Sequence, residues 1–545
     1  MKTKNKTGYV LALPALAALF LFAGCRSGDP VIFSIYPSIG VMGEPITILG
    51  SSFGHERDAS FVTIAGAQPT GTAYLEWTDN RIRIRVSEMG EAGLVFVHVD
   101  GRRSNGVLFV NEAALPRAVG DRTGLGPAVR TITPHAGAVG SLVTITGGGF
   151  GNSRGSGGVF FSRDASWGAW QEFVEVSESD LGYELWSDRE IRVRVPDGAG
   201  SGNVEVRTAR GRSSPLVFQV SESPGTRAFM DRRSYIITYS VNIRTGIAEA
   251  PNTLHLWVPF PAASAAQRNA EMLFSNPAPF IPNYFGTGLY RLDNLEAHSS
   301  TDISLSWTVD VYGMRSSIRP QYVRREAVSP MRDAHTRSCP RLPADDPRIR
   351  NLAASILGGE TNPYLQARRI FDWMLEGNVV WEDRAHGDVF SVVETGRADA
   401  FLGALLYSTL LRAAGVPGRP VAGVLVGRDR QTVHHHWAEF WIDGFGWIPV
   451  DPAMGATAMG TGPIPENFVS MEAGVDPAFS FGNTDSWRIA FSRGFTDISQ
   501  MDPRGRTITH VRSYALQTLW EEVVGGIESY YSLWGSIMVT GLHAQ

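Results

Sequence analysis

The stretch Thr395-Gly396-Arg397-Ala398-Asp399-Ala400 runs directly into an apolar segment, Phe401 to Ala414, which stops at Gly415-Val416-Pro417. Asp399 is a capping residue type, and Leu402, Leu405, Leu406, Thr409 and Leu410 recur at helical spacing. The segment therefore reads as a helix led by Ala400. Two helices precede it. Asp346 caps one with Pro347 at its first position, with Ile349, Leu352, Ala353 and Ile356 on one face and Gly358 as its stop. Asn362-Pro363 opens the other, with Ala367, Ile370, Phe371 and Met374 as its buried stripe. Strand-like runs follow at Val421 to Val426, His434 to Ile442 and Trp447 to Val450. Helices followed by an antiparallel sheet specify an α+β domain.

Thirty-five residues beyond Ala400 stands His435, and sixteen beyond that stands Asp451. Side chains alternate along a strand, so His435, Trp437, Glu439 and Trp441 share a face. Asp443-Gly444 is a hairpin turn signal, and the returning strand brings Asp451 level with His435. An Nδ1–carboxylate hydrogen bond there would present Nε2 to a nucleophile. A thiol catalyst needs a cysteine at a helix N-terminus, a histidine base and an acid that orients it. Base and acid are present, and the helix begins with a methyl group.

This order and spacing resemble the transglutaminase-like superfamily, whose Cys-His-Asp triad works as a papain-type thiol catalyst. The resemblance spans residues 346–455. His435 matches the general base, Asp451 the orienting acid, and Leu411 to Arg419 the helix end and turn behind the nucleophile. Counting back from Arg412 in the family pattern puts the catalytic cysteine on Ala400. The resemblance thus implies a cysteine-protease-like fold lacking its nucleophile, a pseudoenzyme that holds a peptide or protein ligand, including a cell-wall peptide, in a cleft lined by Trp437 and Glu439. Two other readings stay open: an active cysteine peptidase or amidase with Ala400 as an inactivating substitution, and a structural or adhesive surface protein.

Other nucleophiles are poorly placed. Ser408 lies two turns down the helix, Ser391 falls in loop sequence, and Cys339 is remote and followed by Pro340. His434-His435-His436 lacks a cysteine or glutamate at a spacing that would complete tetrahedral zinc, so no metal is expected. Gly147-Gly148-Gly149 precedes no helix and is no phosphate loop, and no cofactor is expected.

An internal repeat fills the first two-fifths of the chain. Pro37, Gly40, Gly43, Ile46, Ile48, Gly50, Phe53 and Gly54 match Pro134, Gly137, Gly140, Val143, Ile145, Gly147, Phe150 and Gly151. Trp77, Asp79, Ile82, Ile84 and Val86 answer Trp186, Asp188, Ile191, Val193 and Val195. Alternation of period two, with glycines at turns, makes each copy an all-β, immunoglobulin-like sandwich. The pattern resembles the IPT/TIG family, in domains at 29–112 and 127–222, and implies a spacer or stalk. A third β region, 227–325, carries Tyr235 to Val241 and Ile303 to Val309 as strands. The connection Gly313 to Pro343 reads as a linker. The tail from Gly460 is assigned to the α+β domain, 340–545, with a strand at Trp487 to Phe491 and partial helix over Ser513 to Tyr530. The fold class is thus multidomain: two Ig-like sandwiches, a further β domain and an α+β transglutaminase-like domain.

Lys2, Lys4 and Lys6 precede an apolar run, Tyr9 to Ala23, that is shorter than the roughly 20 residues a bilayer span needs. It ends in Phe22-Ala23-Gly24-Cys25, which resembles a bacterial lipobox. Residues 1–25 are therefore expected to be a lipoprotein signal peptide with Cys25 lipidated, tethering the exported protein to the membrane of the cell envelope. That places it at the periplasmic face or cell surface, and Arg26 favours the outer membrane by resemblance to sorting rules. Cys339 is then the one remaining thiol, so no intramolecular disulfide staples the domains. A formal charge of −5 gives no argument for a nucleic-acid partner.

Overall fold

The computed structural model describes residues 29–544 apart from positions 38, 41–42, 65, 87–91, 112–125, 164–172, 179, 222–223 and 326–328. Cys25 and the leader sequence lie outside the described residues. The two repeat copies share the order of their first sheet, and the second copy adds a strand, Phe173–Glu175, to its other sheet. In the first, Val31–Tyr36, Pro45–Ser51, Arg81–Arg85 and Tyr74–Thr78 form one sheet in that order. In the second, Ala128–Thr133, Leu142–Gly148, Glu190–Arg194 and Tyr183–Trp186 do the same. Each faces a second sheet, and the alternating residues Ile46, Ile48, Ile82 and Ile84, like Val143, Ile145, Ile191 and Val193, fill the space between.

Hydrogen bonds explain why the repeat keeps its tryptophan, aspartate and Phe-Gly. Trp77 Nε1 donates to the Phe53 carbonyl (2.9 Å) and the Gly54 N–H to Asp79 (3.1 Å). Trp186 donates to Phe150 (3.3 Å) and Gly151 to Asp188 (2.9 Å). Gly50 and Gly147 lie inside strands rather than at turns. A Cβ on either would sit 2.0 Å from the carbonyl oxygen of Val31 or Ala128, so close backbone approach excludes any side chain there.

The third β unit has two packed sheets. Gln267–Asn276, Ser300–Ile318 and Gly225–Thr245 make one, and Ile281–Tyr284, Thr287–Asp293 and Ala248–Pro259 start the other. The tail departs here from the sequence expectation. Tyr530–Trp534 and Met538–Ala544 pair with Gly225–Thr245, while Glu521–Ile527 and Arg506–Ile508 extend the opposite sheet. No helix forms over Ser513 to Tyr530. Tyr514 and Trp520 are buried instead in the core of this β unit, beside Tyr239, Val523 and Ile527. Burial on several sides mimics helical periodicity in the sequence. The expected linker is likewise structured. The strand Ser300–Ile318 runs through Gly313, and helix α1 (Pro330–Thr336) follows.

The α+β domain has α2 (Pro347–Leu357), α3 (Pro363–Trp373), α4 (Val389–Thr395) and α5 (Ala400–Ala413). They pack against a sheet ordered Gly446–Val450, Thr432–Ile442, Gly418–Val426, Arg488–Arg493. Asp346 and Asn362 cap α2 and α3 as the sequence indicates, and Gly358 ends α2 in the left-handed conformation (φ 54°). Every residue of α5 from Leu402 to Leu411 is buried.

The second sandwich is no free stalk. Met331 of α1 and Trp441 and Trp447 of the α+β sheet belong to its core cluster, and Val139 bridges Gly444. Arg227, at the start of the β unit, pairs with Asp197 of the sandwich (2.7 Å). Truncating the shared anchor, Trp441→Ala, should cost about 3–5 kcal/mol and split one shared unfolding transition into two. Calorimetry showing the sandwich and the α+β domain already melting separately in the unsubstituted protein would contradict the shared core.

Candidate functional site

Ala400 is the first residue of α5. Asp399 is the N-cap: its Oδ1 accepts from the Leu402 N–H (2.9 Å) and its Oδ2 from the Ala385 N–H (3.2 Å). The Arg512 guanidinium bonds both the Ala385 carbonyl and the Asp399 carboxylate, so a tail residue braces the helix start. Four aligned turns of peptide dipoles end there, and the local field favours negative charge. The Ala400 methyl is half-buried and packs with the apolar cluster of Leu425, Ala453, Met454 and Ile464.

His435 lies on the strand Thr432–Ile442, 2% exposed. The sequence places the Asp451 bond on Nδ1, whereas the structure places it on Nε2, which donates to Asp451 Oδ2 at 2.8 Å. The imidazole is therefore turned the other way, and Nδ1 is the nitrogen left for a reacting group. Trp437, two residues along the same face, stacks on the ring (centroids 5.9 Å, planes 19° apart) and fixes its plane.

Asp451 is more than an orienting acid. It caps helix α6 (Pro452–Ala458), accepting from the Met454 N–H at 3.0 Å, and Oδ2 also accepts from Arg488 Nη1 at 2.9 Å. Arg488 is itself buried, lies over Trp437 (5.2 Å) and pairs with Asp485, which accepts from the Ser470 hydroxyl (2.8 Å). Burial works against charge on Asp451. The His435 and Arg488 contacts and the helix N–H outweigh it and hold the carboxyl down at about 2, against an ordinary 3.8.

The remaining expected residues fall in different roles. Glu439 is tied to Arg419 (2.9 Å) and Arg493 (3.1 Å). With Trp437, Arg488, Asp197 and Ala265 it lines a cavity of about 50 Å³ where the second sandwich, the β unit and the α+β sheet meet. Neither His435 nor Ala400 lines that cavity. His436 Nε2 donates to the Ser513 carbonyl (3.0 Å), and burial with the neighbouring His435 pushes its pKa down to about 3. Among the described residues no three metal-ligating side chains converge. Ser408 donates to the Ala404 carbonyl within α5. Ser391 sits not in a loop but in the capping box of α4 with Asp388. Cys339 is half-exposed and bridges Leu342.

Arg488 and Arg512 are the functional-site contacts that sequence reading misses. Arg488 carries one signal, a charged residue at a core-facing position of a strand. Arg512 carries none, because its partners lie more than a hundred residues away.

A family model for the transglutaminase-like superfamily matches residues 350–452, and one for the IPT/TIG domain matches residues 30–110. An uncharacterized protein of Haemophilus influenzae is 29% identical over 132 residues, covering 19% of this chain and 36% of that protein. The chain thus spans about a third of that relative's length. Among solved structures, a candidate cysteine protease from Cytophaga hutchinsonii is similar with a TM-score of 0.37 and 14% identity, over 59% of this chain and 92% of that one. A candidate protease from Parabacteroides distasonis gives a TM-score of 0.17 and 11% identity, over 60% and 69%.

Removing the guanidinium should expose how far the site leans on it. Arg488→Met leaves Asp451 buried with one cation fewer, and about 3–5 kcal/mol of stability should be lost at neutral pH. A carboxyl held near 2 stabilises the fold above its ordinary pKa of 3.8 and ceases to do so as pH falls toward 2. Denaturation curves of the two proteins should therefore converge over that acid range. A gap that persists unchanged down to pH 2 would show that Arg488 acts through something other than Asp451.

Proposed function

We propose, from the premise that residues 350–452 are a transglutaminase-like domain and residues 30–110 an IPT/TIG domain, that this is an exported, lipid-anchored protein whose transglutaminase-like domain binds an extended peptide without turning it over. One observation carries the reading: the helix start bears a methyl group at Ala400, packed with Ala453 and Met454 of the helix that Asp451 caps. Acyl transfer through a thioester needs a sulfur to attack the carbonyl and a base to take its proton. Without the sulfur no covalent intermediate forms, while a base, its orienting carboxylate and a helix N-terminus stay in place as polar contacts for a bound amide. The apolar wall of Met454, Ile464 and Leu425 beside Ala400 suits an aliphatic side chain of the same ligand. Peptides of polypeptide or cell-wall type fit this chemistry. The Cys25 lipid would hold the domain at the envelope surface.

Restoring the missing atom tests the assignment of position 400. In Ala400→Cys the new thiol should react with iodoacetamide roughly tenfold or more faster than Cys339 in the same chain, and His435→Ala in that background should remove the advantage. Equal reactivity of the two thiols would place the nucleophile position elsewhere. Hydrolysis or amine transfer by the unsubstituted protein, abolished by His435→Ala, would overturn the silent reading. Labelled palmitate should enter the full-length protein in bacteria and be lost in Cys25→Ser.

A further inference from the structure

The first sandwich exposes apolar side chains on the outer face of one sheet. Phe33 is 68% and Tyr36 77% exposed, Val31 on the same strand and Leu49 on the next stand open beside them, and Leu75 is exposed on the far edge strand of the sheet. Inward neighbours Ile32, Ile35, Ile46 and Ile48 fill the core, so this face is a second, separate apolar surface.

The second sandwich supplies an internal control. Its register is the same pair by pair: Val31 opposes Ser51 as Ala128 opposes Gly148, and Tyr36 opposes Thr47 as Thr133 opposes Thr144. The same bulge falls after Ile32 and after Val129. Leu49 opposes Arg81 as Thr146 opposes Glu190. At the matched positions Val31, Phe33, Tyr36, Leu49 and Leu75 become Ala128, Arg130, Thr133, Thr146 and Glu184. One backbone thus carries an apolar face in one copy and a polar face in the other. The fold does not impose the exposed aromatics, and exposed apolar side chains grouped on neighbouring strands mark a contact site.

Position and composition indicate what it contacts. Cys25 precedes Val31 by six residues, which reach at most about 20 Å when extended, so a lipid on Cys25 keeps this face close to a bilayer. Aromatic and aliphatic side chains mixed with arginine are the chemistry of a membrane interface. Arg81 and Arg83 lie on the same sheet face, exposed, opposite Leu49 and Thr47. We propose that this sheet face of the first sandwich lies against the phospholipid headgroup region, so that the protein is held to the membrane at a fixed orientation and not by a lipid tether alone.

The contact rests on the protein surface and not on acylation, so it is tested with a chain that cannot be acylated. Residues 25–545 with Cys25→Ser retain every described element of the structure and omit the apolar leader. Sedimentation with vesicles of phosphatidylethanolamine and phosphatidylglycerol should show binding that falls roughly tenfold in Phe33→Ser/Tyr36→Ser, because two large aromatic surfaces are lost. Arg130→Ser/Thr133→Ser, the matched pair of the second copy, should leave binding unchanged. These residues are exposed, and circular dichroism checks that each variant is folded. No vesicle binding by the unsubstituted chain, or equal binding by both variants, overturns the proposal. So does a dimer by light scattering that only Phe33→Ser/Tyr36→Ser abolishes, which would assign the face to a second copy. None of these outcomes depends on whether Cys25 carries lipid in the cell.

Discussion

A carboxylate that is 3% exposed must be surrounded by donors, and Asp451 draws three separate elements together to meet that demand. The His435 strand contributes Nε2, the strand Arg488–Arg493 contributes a guanidinium, and the helix that Asp451 itself begins contributes the Met454 N–H. An unpaired charge in such a place would cost several kcal/mol, so the geometry of the site follows from satisfying this one group. The imidazole is turned so that Nε2 faces the acid and Nδ1 faces away from it.

The sheet is shaped to let these partners meet. Arg488 is on an edge strand and Asp451 follows the opposite edge, with the His435 strand and Gly418–Val426 between them. The pairing of Gly418–Val426 with the Arg488 strand shifts register between Ala422 and Gly423. A Cβ at Gly423 would fall 2.0 Å from the Ile489 carbonyl oxygen, so glycine is required at the bulge. Gly423 opposes both His435 and Ala490. Bulges of this kind re-aim side chains next to sites, and here the guanidinium spans the sheet to the acid.

Local signals carried well from sequence to structure. Asp346, Asn362 and Asp399 each cap the helix that the sequence starts beside it, because a cap depends on residues two or three positions away. The repeat carried too, since its Trp, Asp and Phe-Gly residues bond one another within each copy. Long-range partners were not legible. Nothing within the sequence around Arg512 announces that it braces Asp399, and Ser513 to Tyr530 reads as part-helical because its apolar residues are buried on more than one side. The tail strands pair with residues about three hundred positions earlier, so they close the β unit and not the α+β domain. The second sandwich was read as a spacer because each copy looks self-sufficient; Trp441 and Trp447, which join its core, belong to a distant part of the chain.

An intact His–Asp pair is weak evidence of turnover in this fold. His435, Asp451 and Arg488 form a buried network, and removing any one member strands a charge or a polar group out of water. Stability alone is enough to hold them. Residue 400 is under no such constraint. It sits at the first position of a helix, alanine is the best helix former, and the methyl joins an apolar cluster already present. Exchanging a sulfur for a hydrogen there changes chemistry and leaves packing and caps as they are. The two halves of the site therefore differ in what fixes them: the fold's electrostatics hold the dyad, while only chemistry would demand a thiol at the helix start. A chain that keeps the first and lacks the second still has polar groups preorganised by the same bonds that keep it folded.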